Sequence, residues 1–311
     1  MSSPVWYRAA AALAVAVATG EAARPEPSPS AHEIVQRAVE RARQSKQRGL
    51  EEGFTYRMQY SVEKLSPDGE VEERVDEVYR LVPVGGEPYL QLVSRDGREL
   101  TEPELEEERE RRREFEETVR EQGESPEEKE RIEFDQDLVS RYEAELLGVE
   151  PVEGRPAYAL RYSPLSGDLP ERRRIDKVLN RSRGRIWIDR DTYEVARLEF
   201  EMTDTVRFLW LLGSVSELRG FYVRQPVGGV WLPDRGEMYL HARMLFRTSR
   251  RRQSARWTGF EKLEADAAGT GRPGPSPGAR VGRFRGACQE APVTRGATRG
   301  APKERRLRVG R

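Results

Sequence analysis

The sequence predicts a mainly β fold of the α+β class, and three observations carry that prediction. In "FTYRMQYSVEKL" (54–65), Phe54, Tyr56, Met58, Tyr60 and Val62 alternate with Thr55, Arg57, Gln59, Ser61 and Glu63, the two-residue period of a half-buried strand. Turn signals separate the runs that follow: Pro67-Asp68-Gly69, Gly85-Gly86, Asp96-Gly97, Glu153-Gly154 and Gly228-Gly229. "GRIWIDRDTYEVARLEF" (184–200) reads as a complete hairpin, with Ile186 and Ile188 on one face, an Asp-Arg-Asp turn, and Ala196, Leu198 and Phe200 in the return strand.

The chain opens with an expected export signal over 1–23. Arg8 supplies the positive charge, residues 9–18 a short apolar stretch, and Ala16-Val17-Ala18 and Glu21-Ala22-Ala23 the small-residue cleavage candidates. No cysteine lies near these candidates, so a lipid-modified N-terminus is not expected. Residues 24–30 (RPEPSPS) form a Pro/Ser linker. Ile34, Val35, Ala38, Val39 and Ala42 then fall at helical spacing and predict a helix over 32–48, with Ser30 or His32 at its start and Gly49 at its end.

After the strand at 54–65, a second strand runs through Val75, Tyr79 and Leu81, and a third through "YLQLV" (89–93). Residues 101–133 break the period. Thr101 and Glu104 have capping-box spacing, but the run behind them is almost wholly charged, with Leu105, Phe115 and Val119 as its only apolar stripe. A solvated helical insert, projecting from the domain and broken near Gly123, Ser125 and Pro126, is expected.

Strands resume near 141 with a hairpin across Glu153-Gly154, and a short helix or loop at 170–182 precedes the 184–200 hairpin. "SVSELRGFYVRQP" (214–226), "VWLPDRGEMYLHARMLFRTS" (230–249) and "SARWTGFEKLEA" (254–265) complete about ten strands. In the second of these, Met238, Leu240, Ala242, Met244 and Phe246 alternate with Tyr239, His241, Arg243 and Arg247. Residues 31–266 are therefore expected to fold as one domain. Residues 267–311 have no period and are rich in Gly, Pro and Arg, so a disordered, dispensable basic tail is expected.

The zero net charge of the 311-residue chain hides an asymmetry: 267–311 carries 11 basic and 2 acidic residues, whereas 31–266 carries 41 basic and 50 acidic. An acidic body argues against nucleic acid as a partner. The single cysteine, Cys288, permits neither an intramolecular disulfide nor a thiolate metal cluster. Two histidines, His32 and His241, leave little room for a nucleophile–histidine machine. Carboxylates abound without a spacing that demands a reaction, and Gly85-Gly86 and Gly228-Gly229 lack the setting of a phosphate loop. No catalytic residue, cofactor or metal is expected. The run "VRFLWLLG" (206–213) stands out: Phe208, Leu209, Trp210, Leu211 and Leu212 form either a strand buried on both faces or a segment lining an apolar cavity.

The Gly-x-Ile-Trp-Ile-Asp hairpin, followed by "GGVWLP" and a long strand pair, resembles the outer-membrane lipoprotein-sorting family, the LolA/LolB-like half-barrels, over residues 31–265. The resemblance implies a curved antiparallel sheet rolled into an incomplete barrel, apolar on its concave face and lidded by helices. It also implies a periplasmic protein, exported through a Sec signal, that carries or binds lipid or lipoprotein acyl chains in the bacterial envelope. Phe54, Tyr56, Met58, Tyr60, Phe208, Leu209, Trp210, Leu211, Leu212, Met238, Leu240 and Met244 are the residues expected to line the hollow. A monomer is expected. The alternative is an envelope sensor or interaction module on the same fold, whose charged insert binds a protein partner. A hydrolase built on a pair of carboxylates is the third reading.

Overall fold

The structure, a computed structural model, describes residues 28–51, 53–122, 132–208, 213–245 and 247–263. The expected export signal, most of the linker, the breaks at Gly123–Pro126, the segment Leu209–Leu212, Phe246 and the basic tail lie outside these residues. Of Phe208 only the backbone is described.

The chain forms one twelve-stranded antiparallel sheet that does not close into a barrel. Strands β1 (Phe54–Leu65), β2 (Val71–Val84), β3 (Glu87–Arg95) and β4 (Arg98–Glu99) form one end. They are followed by β5 (Tyr142–Val152), β6 (Arg155–Pro164), β7 (Ser182–Asp189), β8 (Val195–Met202), β9 (Val206–Phe208), β10 (Gly213–Val227), β11 (Val230–Met244) and β12 (Arg247–Lys262). The spatial order is β4-β3-β2-β1-β12-β11-β10-β8-β7-β6-β5, with β9 paired to β10 beside β8. The first and last long strands, β1 and β12, are thus neighbours in mid-sheet, with Met58 opposite Trp257 and Tyr60 opposite Ala255.

Turn chemistry sets these hairpins. Gly85-Gly86, Asp96-Gly97, Glu153-Gly154 and Gly228-Gly229 have positive φ at both positions, between 48° and 84°. That is what a two-residue turn matched to strand twist requires. One turn eluded the sequence. Leu245, at φ 51°, ends β11 at Met244, and Arg247–Lys262 is a single strand rather than the tail of one strand plus a later one. No glycine marks that reversal, so pattern alone carried the expected strand through it.

Glycine is needed in the sheet for closeness rather than for φ. A Cβ on Gly220 would sit 2.2 Å from the Glu237 carbonyl oxygen and 3.0 Å from the Phe200 ring, and one on Gly184 would sit 1.9 Å from the Glu199 carbonyl oxygen. Phe200 lies opposite both glycines, and aromatic cover of this kind lets a sheet bend sharply without leaving a void.

Helix α1 (Ala31–Gln47) begins as expected. The Ser30 hydroxyl accepts the Glu33 N–H while the Glu33 carboxylate accepts the Ser30 N–H. Ile34 and Ala38 are buried against Tyr158, Leu160, Ile186, Ile188 and Val195, and full burial of a side chain such as Ile34 contributes about 2 kcal/mol. We call the sheet face beneath α1 the inner face.

The charged insert supplies α2 (Glu102–Gln122), and it packs rather than projects. Phe115 and Val119, the thin stripe, are buried against Val84 and Tyr89. Arg111 donates to the Leu90 carbonyl at 2.7 Å and lies over the Tyr89 ring. The helix therefore covers the β3 side of the sheet, an edge that would otherwise offer free backbone groups. One-turn helices α3 (Gln136–Val139) and α4 (Asp176–Leu179) follow. Among the described residues no helix is long and apolar enough to cross a membrane.

Candidate functional site

The period of β1 assembles the inner face. Phe54, Tyr56, Met58 and Tyr60 are all buried, whereas Arg57 and Gln59 are exposed. Register then brings partners from other strands. Tyr56, Met58 and Tyr60 join Tyr79, Leu81, Leu90 and Leu92 from β2 and β3, Tyr222 from β10, and Ala255 and Trp257 from β12. Tyr222 meets Trp257 edge-on at 6.0 Å between ring centroids, and Tyr60 meets Tyr79 at 6.5 Å. Such contacts stabilise aromatic pairs beyond their buried area.

Met238 and Leu240 lie in an adjoining cluster with Val206, Val215 and Leu218, covered by Val178 of α4. Gln253 of β12 joins the two clusters, since it is paired with Val62 on one side and Met238 on the other. Met244 is not brought in: it is 53% exposed at the end of β11. The apolar run at 206–213 divides. Val206 is buried and Val206–Phe208 pairs with Gly213–Val215, so Leu209–Leu212 connects β9 to β10.

Two polar assemblies hold covers on this face, and sequence reasoning missed both. The first fastens α1. The Glu194 carboxylate accepts from Arg41 Nε at 2.8 Å, from the Ser45 hydroxyl at 2.8 Å and from Arg224 at 3.2 Å. Arg224 also donates to the Trp231 carbonyl at 2.6 Å and pairs with Glu51 in the turn after the helix. Burial works against the Arg224 cation, but Glu51 and Glu194 more than offset it and raise its pKa. The second assembly orders the segment carrying α4. Asp176 accepts the N–H groups of Arg172 and Arg173 at 2.8 and 2.9 Å, and the buried Arg141 bridges Asp137, Asn180 and the Pro170 carbonyl. The first could not be found from spacing, because its members lie up to 173 residues apart; the second joins residues up to 39 apart, and nothing in the spacing marks Arg141 as the one that is buried.

The Gly-Arg-Ile-Trp-Ile-Asp motif has a clear structural purpose. Ile186 and Ile188 pack under α1, while Trp187 points to the outer face, donates Nε1–H to Glu150 at 2.8 Å and lies under Arg197. Asp189 organises the turn by accepting from Thr192 N–H at 2.9 Å, Thr192 Oγ1 at 2.8 Å and Arg155 at 2.7 Å. Burial pushes its carboxyl up, but Arg155 and Thr192 outweigh burial and hold its pKa below the usual value.

The outer face carries a hollow of about 1140 Å³ that the sequence did not suggest, lined by Arg161, Arg183, Arg185, Glu199, Glu201 and Tyr239 among others. Two of its carboxylates form ion pairs: Glu201 with Arg183 at 2.8 Å and Glu199 with Arg197 at 2.6 Å. His241 sits half-buried in β11 opposite Glu217, and His32 is exposed on α1. Among the described residues no group of three or more His, Cys, Asp or Glu gathers as metal ligands would.

No family model matches the chain, and no curated protein matches it. Among solved structures it is similar to a LolA superfamily protein from Nitrosomonas europaea, at 11% identity and a TM-score of 0.27 over 76% of this chain and 95% of that one. A DUF1329 family protein from Desulfovibrio piger is similar at 15% identity and a TM-score of 0.31, over 76% and 94%. MucB of Pseudomonas aeruginosa, solved in complex with MucA, is similar at 13% identity and a TM-score of 0.21, over 76% and 99%. The chain is a mainly β protein of incomplete-barrel form, similar to LolA superfamily structures.

Proposed function

We propose that this chain is an exported, periplasmic protein of the bacterial envelope that binds the acyl chains of lipids or lipoproteins, without catalysis, through a folded unit spanning 31–266. The observation that carries the proposal is the inner face: an apolar surface of aromatic, aliphatic and methionine side chains that runs across the neighbouring strands β3, β2, β1, β12, β11 and β10 of a sheet that does not close. Methionine and aromatic side chains adapt to a flexible guest, and each methylene buried contributes about 0.8 kcal/mol. At rest these side chains cover one another, so a bound chain enters by displacing them. Phe54, Tyr56, Met58, Tyr60, Met238 and Leu240 line its path, with Phe208–Leu212 at the β9–β10 connection.

A second reading is an envelope interaction module. It is favoured by α2, whose Arg109, Arg112, Arg113 and Glu116 are exposed and form ion pairs along the solvent side. Native mass spectrometry of protein purified from its own envelope separates the two: co-purifying lipid supports the carrier, and a lipid-free mass with a bound protein supports the module. Site variants test the carrier directly. Leu211→Glu and Met58→Glu should stay folded and lose binding of a fluorescent fatty acid, because the new carboxylate reaches water through the open side. Unfolding of Met58→Glu would make the inner face a closed core, and folded variants that bind normally would refute the site.

A further inference from the structure

We infer that Gln253 is the polar contact of the acyl-binding face, and that it selects ligands carrying a hydrogen-bond donor, an amide N–H or hydroxyl, where the chain begins. The inference rests on the acyl-binding reading and deepens it. Gln253 is 7% exposed, yet its Oε1 is buried without a hydrogen-bond partner among the described residues. Its cross-strand neighbours are Val62 on β1 and Met238 on β11. Along β12 the same face reads Trp257, Ala255, Gln253 and Arg251, from fully buried and apolar to a half-buried cation beside Leu240 and Lys64.

A buried amide oxygen left unpaired destabilises a fold, whereas an apolar side chain of the same length would not. A leucine at this position would also continue the surface formed by Met238 and Val62. The unpaired acceptor therefore makes sense where a guest completes it. It lies where that face changes from apolar to charged, the level at which the polar end of a chain inserted toward Trp257 would stop. An acceptor there favours an acyl amide over an ester of the same length, which brings only acceptors of its own.

The test titrates oleamide and methyl oleate against the full chain, by displacement of a fluorescent fatty acid, in wild type and Gln253→Leu. Wild type should bind the amide about tenfold more tightly than the ester, a difference of about 1.4 kcal/mol. Gln253→Leu should lose that preference, keep its affinity for the ester, and melt a few degrees higher (~2–4 °C). Equal binding of both probes by wild type, or a preference that survives in Gln253→Leu, overturns the inference and leaves acyl binding standing. Failure of wild type to bind either probe sinks acyl binding and the inference together. Gln253→Met is the second variant: a lower melting temperature in both substitutions would mean that the amide is bonded within the fold, and would overturn its role in recognition.

Discussion

Glu194→Gln should be among the most damaging single-atom changes in this protein. The carboxylate is 5% exposed and lies between two cations, Arg224 at 7% and Arg41 at 25% exposure. One oxygen serves Arg41 and Ser45, and the other serves Arg224. An amide has one acceptor oxygen, so glutamine must turn its N–H groups toward one of the arginines, donor against donor. Removing one member of a buried ion pair costs about 3–5 kcal/mol, because the partner charge stays buried. For a folded unit of this size that is a fall in melting temperature of about 6–20 °C. Arg41→Met removes the partly exposed cation and should cost about 1 kcal/mol. Urea unfolding measures both, and the midpoint should shift without a change in slope. A loss below about 1 kcal/mol for Glu194→Gln would refute the reasoning and mean that water screens the cluster; an equal loss for Arg41→Met would refute it too, by giving the partly exposed cation the weight of the buried carboxylate.

Gly220→Ala should cost more than about 3 kcal/mol or prevent folding, since its Cβ would lie 2.2 Å from a backbone oxygen that belongs to the sheet; circular dichroism with a thermal melt reads it, and a near-normal melt would show that the strands separate easily. Asp189 predicts a pH dependence. Its folded pKa lies below the ordinary 3.8, so its contribution to stability is full above that value and is lost as pH falls through the folded value. Asp189→Asn should therefore be less stable than wild type at pH 7, with the gap closing below about pH 4. A gap that stays constant down to pH 3 would assign the loss to shape rather than to charge.

The strands, the hairpin turns and α1 were legible because their causes are local. Alternation in 54–65 reports the inner face directly, and the paired positive-φ turns announce themselves through Gly-Gly, Asp-Gly and Glu-Gly. The missed turn at Leu245 had no such residue, and alternation continued across it. Within the candidate site, the β1 residues and Met238 and Leu240 were readable as one-sided apolar positions. Met244 has the same parity and is exposed, since period assigns a face and says nothing about how far along the strand the cover extends.

By itself, the sequence determined the alternating faces of the strands and most of the places where the chain reverses, because each depends on neighbours within a few positions. The tertiary structure alone decided that β1 lies beside β12, that α2 docks through Phe115 and Val119, and that Glu194 gathers Arg41, Ser45 and Arg224. It also decided that Gln253 is buried between Val62 and Met238. These depend on strand order and register, which are set by the packing of the whole sheet, and residues as far apart as Glu51 and Arg224 become partners only once that sheet has curled.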